Sequence, residues 1–461
     1  MKESNFNVWV DRPDDAAYVF NGVSGALLRV PTEQRDAIDR LLAGGDRAGC
    51  SAEVVRELAV GRMLVADGTD ELDLLKARYE SSRGDESHFG LTIVTSLGCN
   101  FDCPYCFEAK HPSILSPEVE QAVLDVLDEQ LPSLCGFSVT WFGGEPLVGK
   151  RPLLALSDAF IARCDAADVS YSAGIITNGY LLSRETCEEL RDRRVSTAQV
   201  GIDGPPDVHN EMRPLASGGD SFWRIIENLH HAVDFLDVSV RVNIDTGNVD
   251  RAEELLQILA DEGFAGKLHV YAGQIVGVAE NPAAPSATYQ KACFTSPEFA
   301  GTSLEFERMA RRHGLARTSV PQSVGTPCTA VRANELVVGS KGELYKCWDS
   351  VGTEFEVIGH IDDYQNTNGR LHRWLKYDPF SNDECRSCIA LPVCMGGCAH
   401  HAMSLDLYEN RCGTFRHNYH DRVLEFVKQA DEDAAARDRT DPEPAAREPQ
   451  PVSITTGTPS R

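Results

Sequence analysis

Between residues 89 and 280, short apolar runs alternate with amphipathic stretches, and this alternation constrains the fold more than any other feature of the chain. Strand candidates are Leu91–Thr95, Ser138–Phe142, Ala173–Thr177, Ala198–Ile202, Val238–Ile244 and Leu268–Ala272. Helical periodicity runs near 117–131, 151–165, 184–193, 221–236 and 250–262. Ser116-Pro117 opens the first helix with a cap and a proline in the first turn. Strands separated by helices lie parallel, joined by right-handed crossovers. Six such units make a partial (β/α)6 TIM barrel, an α/β fold, rather than the full eight. In that architecture chemistry sits at the C-terminal ends of the strands.

The chain has 461 residues, room for about three domains. Residues 1–88 carry two strand-like runs, Ala17–Phe20 and Ala26–Val30, around Asn21-Gly22, a hairpin signal. Thr32 caps a helix that runs to Leu42 and stops at Gly44-Gly45. A second helix starts at Ser51, and a strand lies near Met63-Leu64-Val65. Together these read as a small α+β winged-helix-like module. The barrel spans 89–280, and 281–325 form a connector with helical content near 302–314. Residues 326–430 are rich in cysteine and poor in long elements, so metal is expected to substitute for core. The last element there is a helix over Tyr419–Gln429. The tail 431–461 has few large apolar groups and is expected to be disordered.

Lys plus Arg number 44 against 70 Asp plus Glu, a net charge of −26. That argues against a non-specific grip on nucleic acid phosphates or anionic lipid. The start, Met1-Lys2-Glu3-Ser4-Asn5-Phe6, has no apolar signal core. No stretch approaches the ~20 apolar residues of a membrane span. The expected location is the cytoplasm, with neither nucleic acid nor membrane as partner. Fifteen cysteines in a reducing compartment point to metal or catalysis rather than disulfides.

Cys99, Cys103 and Cys106 form C-x3-C-x2-C directly after the first barrel strand. Three thiolates on one short loop suit three irons of a four-iron cluster and leave the fourth iron for a small molecule. A closed zinc site wants four ligands. Further motifs end the next strands in order: Trp141-Phe142-Gly143-Gly144-Glu145-Pro146-Leu147, Thr177-Asn178-Gly179, Gly201-Ile202-Asp203-Gly204-Pro205 and Val242-Asn243-Ile244-Asp245. His209 and Arg213 lie just beyond the fourth strand. Each is weak alone, because such residues usually make turns. In this order, at successive strand ends, they resemble the radical S-adenosylmethionine (radical SAM) superfamily. The resemblance implies that Cys99, Cys103 and Cys106 bind the cluster that cleaves SAM. It places Tyr105 near the adenine, and Gly143, Gly144 and Glu145 near the methionine part. Asn178, Asp203 and Asn243 are candidates for the ribose, the carboxylate or the substrate. Many relatives carry Ser where Gly201 stands.

A second group begins with C-x13-G-x4-C, formed by Cys328, Gly342 and Cys347. It continues as C-x2-C-x5-C-x3-C through Cys385, Cys388, Cys394 and Cys398, and ends at Cys412. Seven thiolates exceed one four-ligand site, so two metal centres are implied. The pattern resembles the SPASM extension, whose two auxiliary clusters bring the count to three [4Fe–4S] clusters. By that resemblance Cys328, Cys347 and Cys398 bind the first, and Cys385, Cys388, Cys394 and Cys412 the second. Eight ligands are needed and seven are supplied, which leaves an open iron, Cys293 or another side chain at the first. Two zinc ions are the alternative for this segment. Cys50, Cys135, Cys164 and Cys187 are expected to be buried or inert.

SPASM relatives mostly modify peptides or proteins, and the resemblance implies a ribosomally made precursor peptide as substrate. It also implies a low-potential electron donor of flavodoxin or ferredoxin type. A 5′-deoxyadenosyl radical would abstract a substrate hydrogen, leading to a thioether, carbon–carbon or carbon–oxygen cross-link. The N-terminal module resembles peptide-recognition elements that add a leader peptide to a sheet edge. An anaerobic sulfatase maturase, making formylglycine, is the second reading. That group commonly has Asp directly after the cysteine matching Cys347, where Trp348 stands here and Asp349 follows. A non-catalytic iron–sulfur scaffold is the third.

Overall fold

The computed structural model describes residues 1–12, 17–30, 32–46, 48–276, 281–289, 293–318 and 321–440. Its N-terminal part holds β1 (Lys2–Glu3), β2 (Asn7–Asp11), β3 (Ala17–Asn21), β4 (Leu27–Val30) and β5 (Leu64–Val65). The hairpin expected around Asn21-Gly22 is β3–β4, and β2 extends it to an antiparallel sheet in the order β2-β3-β4. The strand near 63–65 is present but joins β1 instead, with Lys2 opposite Val65. Helices Thr32–Leu42 and Ala52–Val60 close a small core of Val19, Ile38, Leu41 and Leu58. Ser51 caps the second by accepting from the Val54 N–H.

Six parallel strands follow in chain order: β6 (His88–Ser96), β7 (Gly136–Gly143), β8 (Ser170–Thr177), β9 (Val195–Gly201), β10 (Asp237–Ile244) and β11 (Leu268–Gln274). Helices Pro117–Gln130, Lys150–Ala167, Arg184–Asp192, Phe222–Ala232 and Ala252–Asp261 alternate with them. The strands read as apolar runs because helices cover the sheet. In-register Phe89, Phe137 and Tyr171 stack across β6, β7 and β8 at 5.7 and 5.8 Å, and Phe160 meets Phe137 edge-on at 5.1 Å. Each such ring contributes roughly 1.5–3 kcal/mol by burial.

The sheet does not stop at β6. β12 (Glu335–Val338) pairs parallel along its outer edge, with Leu336 opposite Leu91. β13 (Glu343–Tyr345) and β14 (Gly359–His360) then add antiparallel, giving nine strands in the order β11-β10-β9-β8-β7-β6-β12-β13-β14. The cysteine-rich segment is thus stitched to the barrel through its first strand. Gly90 leaves the space that the Glu335 carboxylate fills, since a Cβ there would fall 1.8 Å from it.

Two helices differ from their sequence reading. The connector helix spans Ser296–Arg312, with Thr295 and Glu298 forming a reciprocal capping box. The C-terminal helix runs Phe415–Thr440, with non-helical backbone at Asn418, whose side chain donates to the Ala300 carbonyl. Residues 431–440, expected to be disordered, are therefore helical; the rest of that tail lies outside the described residues. Val423 of this helix packs among Val8, Val10 and Phe20 of the N-terminal sheet.

Candidate functional site

The pairing of β6 with β7 shifts register between Val94 and Ser96, and the cysteine loop leaves from there. The loop is fastened to the segment after β9: the Asp102 N–H donates to the Pro214 carbonyl at 2.8 Å and the Ala216 N–H to the Asn100 carbonyl at 2.9 Å. Cys99, Cys103 and Cys106 all line one cavity of about 440 Å³ at the C-terminal ends of the strands. Burial pushes the Cys99 thiol up to about 11 and Cys106 to about 12, and raises Cys103. Buried thiols like these ionise only with a positive partner, as metal binding provides.

Gly143 and Gly144 form the facing wall. Gly143 has φ +134°, and a Cβ on it would lie 2.2 Å from the Ser96 carbonyl oxygen. One on Gly144 would lie 2.8 Å from the Leu97 oxygen. These glycines thus let β7 close onto the start of the cysteine loop. Glu145 is fully buried, and its carboxylate is already engaged. It accepts from the Leu147 N–H at 2.9 Å, the Thr177 hydroxyl at 2.8 Å and the Asn178 N–H at 2.7 Å. The carboxylate therefore clamps β7 to the end of β8 and does not form part of the cavity wall. Asn178, held this way, does face the cavity and donates to Asn100 at 2.7 Å.

Tyr105, Asp203 and Asn243 converge in one network. The Tyr105 hydroxyl donates to Asp203 and accepts from Arg213 at 2.8 Å. The other Asp203 oxygen accepts from the Asn243 N–H at 2.9 Å. The Asp203 N–H donates to Nδ1 of His209, whose pKa burial drives well below the ordinary range, keeping it neutral. The Arg213 guanidinium lies over Gly201, where a Cβ would come within 2.7 Å of it. A serine at 201 would require that guanidinium to shift.

The family model of the Radical SAM superfamily matches residues 93–270, from β6 through β11. Residues 93–270 thus carry a radical SAM domain. The serine-type anaerobic sulfatase-maturating enzyme of Bacteroides thetaiotaomicron is 30% identical over 159 residues, 31% of this chain and 36% of that protein. The chain thus matches about a third of that relative's length. The structure of native anSMEcpe with bound AdoMet and Cp18Cys peptide superposes with a TM-score of 0.56 at 17% identity, covering 74% of this chain and 99% of that one. The structure of Streptococcus suis SuiB bound to precursor peptide SuiA gives a TM-score of 0.50 at 13% identity, covering 90% of this chain and 99% of that one. These two share the fold.

The radical SAM family implies SAM and a [4Fe–4S] cluster, and this cavity fits them. Three thiols share it with buried polar atoms that have no partner among the described residues, Glu108 Oε1 and Arg213 Nε. No three His, Cys, Asp or Glu side chains among the described residues close on a single-ion site. A cubane asks for less convergence, because each thiolate meets a different iron. The C-terminal cysteines fall into two groups. Cys347 has Cys398, Cys328 and Asp349 as electrostatic neighbours. Cys385 has Cys394, Cys412 and Cys388, and Arg416 donates to Cys412 Sγ at 3.3 Å. Cys293 stands elsewhere, beside Asp245 and Tyr289. Cys164 and Cys187 are buried and Cys50 is half-buried, but Cys135 is exposed.

Sequence reasoning missed Glu108, Lys110, Arg241, His400 and His401, all of which line the radical SAM cavity, and gave Trp348 no role there. Trp348 stacks on Phe142 at 5.9 Å and, with Phe107, stands exposed at the mouth. Glu108 and Lys110 directly follow the cysteine loop, where their position beside Cys106 was the available signal, whereas the others converge from different segments and no spacing rule joins them. No described helix is long and apolar enough to cross a membrane.

Proposed function

We propose that the protein is a radical SAM/SPASM peptide maturase acting on a ribosomally made precursor peptide. What supports this most is the convergence of three thiols, a polar strand-end rim and the cysteine-rich segment on one cavity with an aromatic mouth. When bound, the cluster and SAM supply a carbon-centred oxidant strong enough to take a hydrogen atom from an unactivated carbon. Cys99, Cys103 and Cys106 hold that cluster. Tyr105, Gly143, Gly144, Asn178, Asp203 and Asn243 orient SAM, with Glu145 acting from behind through Thr177 and Asn178. Cys328, Cys347 and Cys398 hold one auxiliary cluster, and Cys385, Cys388, Cys394 and Cys412 a second. The product is a thioether, carbon–carbon or carbon–oxygen cross-link, and a flavodoxin or ferredoxin type donor provides the electron. The sheet β2-β3-β4 docks the leader peptide, with Phe107 and Trp348 guiding the core peptide inward and shielding it from water.

The test is anaerobic reconstitution followed by dithionite and SAM. The expected product is 5′-deoxyadenosine, absent when Cys99, Cys103 and Cys106 are all changed to Ala. Iron should approach about twelve per chain for three clusters, and a count near four would refute the auxiliary pair. The resemblance to sulfatase maturases supports a second reading, formylglycine formation with Asp349 as base, since Asp349 lines the cavity. An aldehyde on a Cys- or Ser-containing sulfatase peptide would decide for it. A product lighter by two hydrogens, without aldehyde, decides for the cross-link.

A further inference from the structure

Arg241 sits on β10 two residues before Asn243, on the same face and deeper in the barrel, and it lines the cavity. The neighbouring strand makes room for it. A Cβ on Gly273 of β11 would lie 2.4 Å from Arg241 Nε. That nitrogen donates to Asn243 Oδ1 at 2.8 Å, and Asn243 turns its own amide toward Asp203 at 3.2 Å. Asn243 thus separates Arg241 from the nearest carboxylate of the network, which Arg213 faces at 3.6 Å and Tyr105 already engages. Tyr271, in register with Arg241, gives its hydroxyl to Gln199 at 2.5 Å and turns the same oxygen toward the Arg241 side chain, a neutral neighbour that leaves the positive charge unmatched. Among the described residues no Asp or Glu lies within 4.0 Å of the Arg241 guanidinium, in a chain carrying 70 of them. Arg213 and Lys110, the other cations of the cavity, each face an aspartate at 3.6 Å.

A guanidinium held flat by a neighbouring glycine, with its terminal nitrogens left without a carboxylate, matches a planar two-oxygen anion. We propose that Arg241 receives a carboxylate of the substrate, an Asp or Glu side chain next to the residue that is modified. This rests on the peptide-maturase reading and narrows its substrate class to acidic peptides. The residues assigned to SAM stand at the strand tips, whereas Arg241 lies two residues before Asn243 on β10, level with Gly201 at the end of β9. A substrate threading past SAM meets it there. Preference for an anion at this spot selects among peptides in a protein whose overall charge repels them, so binding must come from the local pairing and not from long-range attraction.

The test uses the full chain, anaerobically reconstituted and with SAM present, and two probes of equal shape, acetyl-Gly-Glu-Gly-amide and acetyl-Gly-Gln-Gly-amide. Calorimetry should show the Glu peptide binding about tenfold or more tightly, as a charge-assisted pair provides. Arg241→Gln should erase the preference, Arg241→Lys should keep part of it, and SAM affinity should stay within about twofold in both. Equal binding of the two peptides by the unaltered protein, binding of neither, or a preference that survives Arg241→Gln overturns the proposal. If Arg241→Gln instead weakens SAM about tenfold, the carboxylate received is that of SAM and the proposal fails. Failure of the maturase reading shows separately, as absence of 5′-deoxyadenosine from the unaltered protein.

Discussion

A methyl group at Gly143 has nowhere to go: its left-handed backbone and the Ser96 oxygen at 2.2 Å both reject it. Gly143→Ala should therefore cost at least about 3 kcal/mol and loosen the cysteine loop that rests on it. Iron per chain and melting temperature should fall together, and a variant with ordinary iron and stability would show that the loop seats without this contact. Glu108 makes a different demand. Burial pushes its carboxyl up to about 8, Glu145 and Asp349 add to the rise, and Lys110 opposes it. An unfolded chain releases that proton near the ordinary value of 4.5. Between those values the unfolded state is ionised while the folded state must keep the proton or bury a charge. The contribution of Glu108 is thus most favourable below 4.5 and is lost as pH rises toward 8. Thiolates on a loaded loop are negative and push the group the same way. Glu108→Gln should unfold at higher urea than the parent near pH 8, with the gap closing near pH 5. A gap independent of pH would mean that Glu108 ionises freely.

Helix Ser296–Arg312 carries an exposed glycine, Gly301, with nothing within 4 Å of an added Cβ. Gly301→Ala should raise stability by about 0.5–1 kcal/mol, read as a higher urea midpoint at unchanged slope. No gain would mean that helical backbone is not what this segment populates. The same glycine explains a sequence error: it interrupts the apolar period, so only the stretch near 302–314 read as helix. Barrel strands were legible because β6 to β11 are apolar runs between strong helices, and observed bounds differ from expected ones by a few residues at most. β12 was illegible: four residues, Glu335–Val338, become a strand only because β6 offers an edge some 240 residues earlier in the chain. Residues 431–440 went wrong for a compositional reason. Ala, Glu and Arg suit a solvated helix as well as a disordered tail. The site divides likewise. Cys99, Cys103 and Cys106 share one loop and could be read from spacing, whereas Arg241, Trp348 and His400 meet only through the fold.

Across the whole molecule, the cysteine-rich segment turns out to have a core, and part of that core comes from the other end of the chain. Phe6, Leu75 and Tyr79 pack with Trp374, Phe380, Leu391 and Met395. The Tyr79 hydroxyl donates to the Tyr377 carbonyl at 2.7 Å, and Arg83 to the Leu375 carbonyl at 2.8 Å. Metal was expected to replace core here, yet borrowed apolar surface also serves. Removing residues 1–85 to probe leader binding would therefore strip two functions at once. The deletion should lower iron as well as peptide affinity, because the segment holding seven cysteines loses helix Glu71–Arg83. Tyr79→Ala isolates the packing part. It leaves β2-β3-β4 whole, costs about 3–5 kcal/mol as a large-to-small core change, and should reduce iron toward the about four of the radical SAM loop alone. Electron paramagnetic resonance of the reduced protein with SAM separates the cases, since the SAM-responsive signal should persist while the others fade. A deletion variant that retains all its iron would show instead that the C-terminal segment stands on its own, and would restore leader docking as the sole role of the N-terminal residues.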